Sequence, residues 1–151
     1  LGLINKEEHR LNQLEMKRRT KEFAKEIIRL CRKLPNSREG RLIGDQIFRS
    51  GTSVAANYRS ACRGRSKAEF ISKLSIVEEE ADETLFWLEV ITEMKVLKCE
   101  KLDELMREND EILAIVVASI KTAKRSKDPG PEDPALNSPQ RGGVYLRLPM
   151  E

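Results

Sequence analysis

Apolar residues recur by threes and fours through most of the first 125 positions, a spacing that lines one face of an α-helix. Met16, Thr20, Phe23, Ile27, Leu30 and Leu34 form the first row. Leu34 then meets Pro35-Asn36-Ser37, a stop and turn signal, so the pattern predicts a helix over about 7–34. Leu11 and Leu14 fall off this row and imply either a less ordered lead-in or a contact with another subunit. A second helix is predicted over 38–63, with Ile43, Ile47, Val54, Tyr58 and Ala61 inside an arc of roughly 60°. Gly51 interrupts it among Ser50, Thr52, Ser53, Ala55 and Ala56. Glycine in a helix costs about 1 kcal/mol relative to alanine, so this run of small residues points to close approach of another helix. Gly64 supplies the stop.

Ser66 and Glu69 have the spacing of a capping box and predict a third helix over 66–96. Its core row is Phe70, Leu74, Val77, Ala81, Leu85 and Leu88. A fourth helix over 101–125 carries Leu102, Leu105, Met106, Ile112, Leu113, Val116, Ile120 and Ala123. Four amphipathic segments joined by short turns imply an all-α fold, an antiparallel up-down-up-down four-helix bundle occupying residues 1–126. From Lys127 the chain changes character: prolines at 129, 131, 134, 139 and 149 exclude a continuing helix. Residues 127–151 read as a disordered or extended tail, in which Val144–Leu148 is short enough and apolar enough to dock as a strand or peptide.

The third helix carries a second apolar strip, Ile76, Trp87, Val90 and Met94, on a different arc from its core row. A bundle helix needs one apolar face, and large aromatics favour protein interfaces. The strip therefore predicts a homo-oligomer, against the plainer reading that it covers the edges of an ordinary core.

Composition narrows the function classes. The chain of 151 residues fits one domain, and 5% aromatic against 35% charged residues suits a helical bundle better than a β-sandwich. The longest apolar run, Ile112–Ile120, has nine residues, whereas a membrane span needs about 20. Early charges at Lys6, Glu7, Glu8 and Arg10 do not fit a signal peptide, so a soluble, cytoplasmic protein without membrane association is expected. Cys31, Cys62 and Cys99 are far apart and without a CxxC pair, which reads as reduced thiols. The single histidine, His9, stands near the start of the chain, where it offers neither a triad nor a zinc site. No catalytic residue, metal site or cofactor is predicted, and the chain does not read as an enzyme.

Charge is what remains. The totals, 28 Lys plus Arg against 25 Asp plus Glu, nearly cancel, but their distribution does not. On a continuous second helix Arg38, Arg41, Arg49, Arg59 and Arg63 fall within an arc of roughly 80°, opposite the apolar row. With Arg65 and Lys67 they make a candidate nucleic-acid-binding face, since the planar fork of arginine matches a phosphate oxyanion. The competing reading pairs these cations with the third helix's Glu78, Glu79, Glu80, Asp82, Glu83, Glu89 and Glu93. Glu80, placed beside Ile76 and Trp87, needs an arginine or another donor in either case.

The run Gly44–Ile91 resembles the four helix bundle proteins also called 23S ribosomal RNA intervening-sequence proteins. The resemblance rests on Asp45, Gln46, Arg49, Ser50, Gly51, Ser53, Ala56, Asn57, Tyr58 and Arg59. It continues through Ser66, Phe70, Lys73, Leu74, Ile76, Glu80, Ala81, Glu83, Thr84, Trp87 and Leu88. It implies a small bacterial bundle without an assigned catalytic activity. The accessory variability determinant of diversity-generating retroelements looks like the same bundle, assembled as a pentameric ring that binds nucleic acid and a reverse transcriptase. By that likeness a homopentamer is expected. Two readings stay open: an oligomer that binds RNA or DNA phosphates, and a protein–protein scaffold whose arginines serve its own structure.

Overall fold

Each helix forms where an apolar row runs and ends where a cap or a proline stands. The computed structural model describes residues 2–126, and the segment read as a tail, with Val144–Leu148, lies outside them. The elements are α1 (Gly2–Lys33), α2 (Arg38–Cys62), α3 (Lys67–Glu93) and α4 (Lys101–Arg125), with no strand among the described residues. α1 begins earlier than the pattern predicts, so Leu11 and Leu14 stand on a formed helix, 55% and 51% exposed, and not on a less ordered lead-in.

Local chemistry accounts for the ends. The Ser37 hydroxyl accepts the Gly40 N–H at 3.0 Å and opens α2. Ser66 does the same for Glu69 at 3.1 Å and opens α3. The Glu69 carboxylate reaches one residue further back than the capping-box pattern implies, to the Arg65 N–H at 2.9 Å. α3 stops at Glu93, three residues short of its predicted end, because Lys95 turns left-handed at φ 53°. The Val96 N–H then reaches the Ile91 carbonyl at 3.0 Å and Lys95 N–H that of Thr92 at 3.2 Å, a Schellman closure. Gly64, by contrast, is needed for space: a Cβ there would lie 3.0 Å from the Ala61 oxygen and 3.2 Å from the Phe70 nitrogen.

Cross-helix contacts set the topology. The Cys31 thiol faces the Gly44 carbonyl and Ile27 faces Gly51, so α1 and α2 run antiparallel. The connection 63–66 returns the chain as α3, with Ser50 and Thr84 side by side. Asn109 against Ala81 and Lys67 against Ser126 run α4 antiparallel to α3. The result is an up-down-up-down bundle. Its upper end holds the connections 34–37 and 94–100, and its lower end holds the connection 63–66 with the start of α1 and the finish of α4.

The core runs the length of this frame, from Met16, Phe23, Ile27 and Leu30 on α1 to Ile112, Val116 and Ile120 on α4. On α3 the buried row is Leu74, Val77, Ala81, Thr84, Leu88 and Ile91. Thr84 replaces the expected Leu85, which is only partly buried. The hydroxyls of Thr84 and Ser50 lie 3.0 Å apart, and Thr84 donates to the Glu80 carbonyl at 2.7 Å. Asn109, wholly buried, donates from Nδ2 to the Ala81 carbonyl at 2.9 Å. α1 and α4 meet over a much shorter stretch than the other neighbours and are tied by Arg19 to Glu108 at 2.5 Å, Arg19 to Glu111, and Lys101 to Glu26 at 3.8 Å.

Gly51 is the tightest point in the frame. A Cβ built on it would stand 2.8 Å from both Cγ1 and Cγ2 of Ile27, itself fully buried. Alanine would gain about 1 kcal/mol of helix propensity, but overpacking a filled core costs about 1–3 kcal/mol, so the clash wins. Gly51→Ala is expected to lower stability in urea unfolding, and Ile27→Val in the same chain to recover part of the loss. A Gly51→Ala protein more stable than wild type would contradict the packing.

Candidate nucleic-acid interface

The seven cations of the predicted face do not share one environment. Arg38, Arg41, Arg49, Arg59, Arg63 and Arg65 are exposed, and Lys67 is half-buried. Arg49 is engaged on both arms of its fork: Nη1 donates to Glu80 at 3.2 Å and Nη2 to Glu83 at 2.6 Å. Glu80 thereby obtains the arginine its place beside Ile76 and Trp87 requires. Arg41 donates to the Asn36 side chain at 2.9 Å. Lys67 spends its ammonium on the Ser126 main-chain carbonyl at the end of α4. Among the described residues Arg38, Arg59, Arg63 and Arg65 have no side-chain hydrogen bond or ion pair.

Position along the bundle divides them further. Arg38 and Arg41 stand on the first turn of α2 at the upper end, Arg49 at mid-height, and Arg59, Arg63, Arg65 and Lys67 at the lower end. The carboxylates of α2, α3 and α4 follow the opposite gradient. Residues 78–111, which run from mid-α3 over the upper connection into α4, hold thirteen acids against four bases. Residues 46–68 and 112–126 hold no acid at all. Lys121, Lys124 and Arg125 of α4 therefore share the lower end, a grouping that a reading of one helix at a time misses. Its signal was present in sequence as those two acid-free stretches.

The apolar strip on α3 is only partly exposed. Ile76, Trp87 and Val90 are half-buried, whereas Met94 is 70% exposed. The Trp87 indole N–H donates to Glu83 at 3.4 Å, and its ring meets Phe86 edge-on, centroids 4.9 Å apart. Phe86 is 53% exposed and Leu42 of α2 57%. These two the sequence reading left out, since neither lies on a recurring row.

All three cysteines are free. Burial, with the nearby Asp45 charge, pushes the Cys31 thiol up to about 11, and burial raises that of Cys62, so neither is a thiolate at neutral pH. Among the described residues no group of three or more His, Cys, Asp or Glu is placed to hold a metal ion. No described helix is long and apolar enough to cross a membrane.

A family model described as "23S rRNA-intervening sequence protein" matches residues 12–118. Comparison with curated proteins gives no match. Among solved structures, the chain is similar to a protein of unknown function from the S23 ribosomal protein family of Bacteroides thetaiotaomicron. That likeness has a TM-score of 0.67 at 35% identity and covers 72% of this chain and 97% of the other. Neither description names an enzymatic activity.

Acid should release the Arg49 clamp. Its guanidinium holds the Glu83 carboxyl below the ordinary 4.5, against the upward push of partial burial, with a smaller pull from Trp87. A lowered carboxylate adds stability above its unfolded value and loses it as pH falls through the folded one. Arg49→Met is thus expected to melt below wild type at neutral pH, with the gap closing below about pH 4.5. A gap that persists undiminished to pH 3 would separate Arg49 from the charge of Glu83.

Proposed function

Because the chain belongs to the 23S rRNA-intervening sequence protein family, we propose that it is a non-enzymatic, cytoplasmic bundle that assembles with itself and binds RNA or DNA phosphates through basic residues. One observation carries the binding: Arg59, Arg63 and Arg65 stand together at one end of the bundle, exposed and without a side-chain partner among the described residues, whereas Arg18, Arg19, Arg29 and Arg49 are taken up by carboxylates. Arginine left unneutralised at a surface presents its fork to a phosphate without first breaking an ion pair. The descriptions of the matching family and of the S23 ribosomal relative favour RNA over other polyanions.

Assembly would use Ile76, Trp87, Val90 and Met94, with five copies in a closed ring as the form the sequence resemblance implies. Several copies of a modest patch raise avidity without a new contact. The second reading, a protein–protein scaffold without nucleic-acid binding, draws on the Arg49 clamp and on exposed Leu42, Phe86 and Met94.

One titration separates the two. A labelled RNA oligonucleotide should bind the wild-type protein and lose about 10- to 100-fold in affinity between about 50 and about 200 mM salt, as expected for a few phosphate contacts. Sedimentation of the same samples should give a mass above that of one chain, lowered by Met94→Glu at its exposed position. Salt-independent or absent RNA binding would leave the scaffold reading, and a single-chain mass would remove the ring.

A further inference from the structure

We propose that the phosphate-binding surface is the lower end of the bundle, and that α4 forms part of it through Lys121, Lys124 and Arg125. This rests on the nucleic-acid reading above and changes its site from a ridge along α2 to an end formed by three helices. The Lys67 ammonium on the Ser126 carbonyl seats the last turn of α4 against the first turn of α3. The connection carrying Arg63 and Arg65 ends one residue before Lys67, so the cations of α2 and those of α4 flank one place.

None of Arg59, Arg63, Arg65, Lys121, Lys124 or Arg125 has a side-chain partner among the described residues, and all six are exposed. On α2, α3 and α4 the carboxylate at this end is Glu69, already accepting the Arg65 main-chain N–H, while the start of α1 brings Glu7, Glu8 and Glu15 together with Lys6, Arg10, Lys17 and Arg18. Arg38 and Arg41, in contrast, share the upper end with Glu39 and the acid-rich turn into α4, so a strand bound there meets carboxylates too.

The test compares three charge-reversed proteins on RNA and DNA oligonucleotides of one sequence: Arg59→Glu with Arg63→Glu, Lys121→Glu with Lys124→Glu and Arg125→Glu, and Arg38→Glu with Arg41→Glu. The first two are expected to weaken binding by about tenfold or more, and the α4 variant to lower the salt slope by about 2, three contacts at about 0.7 each. The third should bind like wild type. Loss with Arg59 and Arg63 alone would overturn the role of α4 while leaving the nucleic-acid reading intact. Equal loss with Arg38 and Arg41 would restore the ridge, and a wild-type protein that binds neither oligonucleotide would end both. Lys124 and Arg125 also face the negative end of the α4 dipole, so melting temperature is followed separately. Glutamine at the three α4 positions serves if the reversed chain fails to fold, with the same direction expected.

Discussion

One turn of α2 meets both neighbouring helices, and the placement of the α2 arginines follows from it. Gly51 lets Ile27 of α1 press against the backbone, and Ser50, one residue earlier, sits 3.0 Å from Thr84 of α3. Successive helical residues point about 100° apart, so two consecutive contacts to two different helices fix the rotation of α2 about its axis. Arg49 must then emerge at the outer edge facing α3, where Glu80 and Glu83 stand. The same rotation leaves Arg59 and Arg63 to solvent. A larger residue at 51 would unseat α1 and, through α2, shift the arginines.

The polar groups inside the frame divide the work of holding it. Ser50 with Thr84 joins α2 to α3, and Asn109 with the Ala81 carbonyl joins α3 to α4. Each contact forms in one register and is lost in another, although Asn109 Oδ1 is buried without a partner here; an unpaired polar group in the interior costs about 1–3 kcal/mol. The seam of α1 with α4 depends more on ion pairs at its surface, Arg19 with Glu108 and Glu111 among them. Arg19 and Glu108 are partly buried, whereas Glu111 and Lys101 are exposed, and pairs that water reaches weaken with salt. α1 is therefore anchored mainly to α2, which again returns the structure to Gly51.

Net charge conceals how this molecule presents itself to a ligand. A sum of +3 suggests indifference to polyanions, but screening decides what a ligand feels. The Debye length in physiological salt is about 8 Å, while a helix of 25 residues, such as α4, is about 38 Å long. Carboxylates at the upper end lie several screening lengths from cations at the lower end and do not cancel them there. Periodicity revealed the four helices because burial imposes a repeat of three and four on sequence. It erred at Leu85 because a threonine with an internal acceptor is buried as readily as a leucine, and at Asn109 because a polar residue carries no periodic signal. The partners of Arg49, and the company of Lys121, Lys124 and Arg125, depend on the register between helices, which no single helix encodes.

The strip proposed for assembly and the end proposed for phosphate occupy different parts of the bundle. Trp87, Val90 and Met94 lie in the upper half of α3 and Ile76 near its middle, away from the first turn where Lys67 meets α4. Copies joined side by side through that strip would keep their lower ends uncovered. In a closed ring every subunit bears the same relation to the axis. If the bundles stand along that axis, their basic ends fall on one face and their acidic ends on the other. A strand crossing the basic face would meet the same six cations again at each subunit, and the opposite face would repel it. Axial segregation of charge, of no evident value to a single subunit, would then give the assembly a sidedness for which neither the core packing nor the Arg49 clamp has any need.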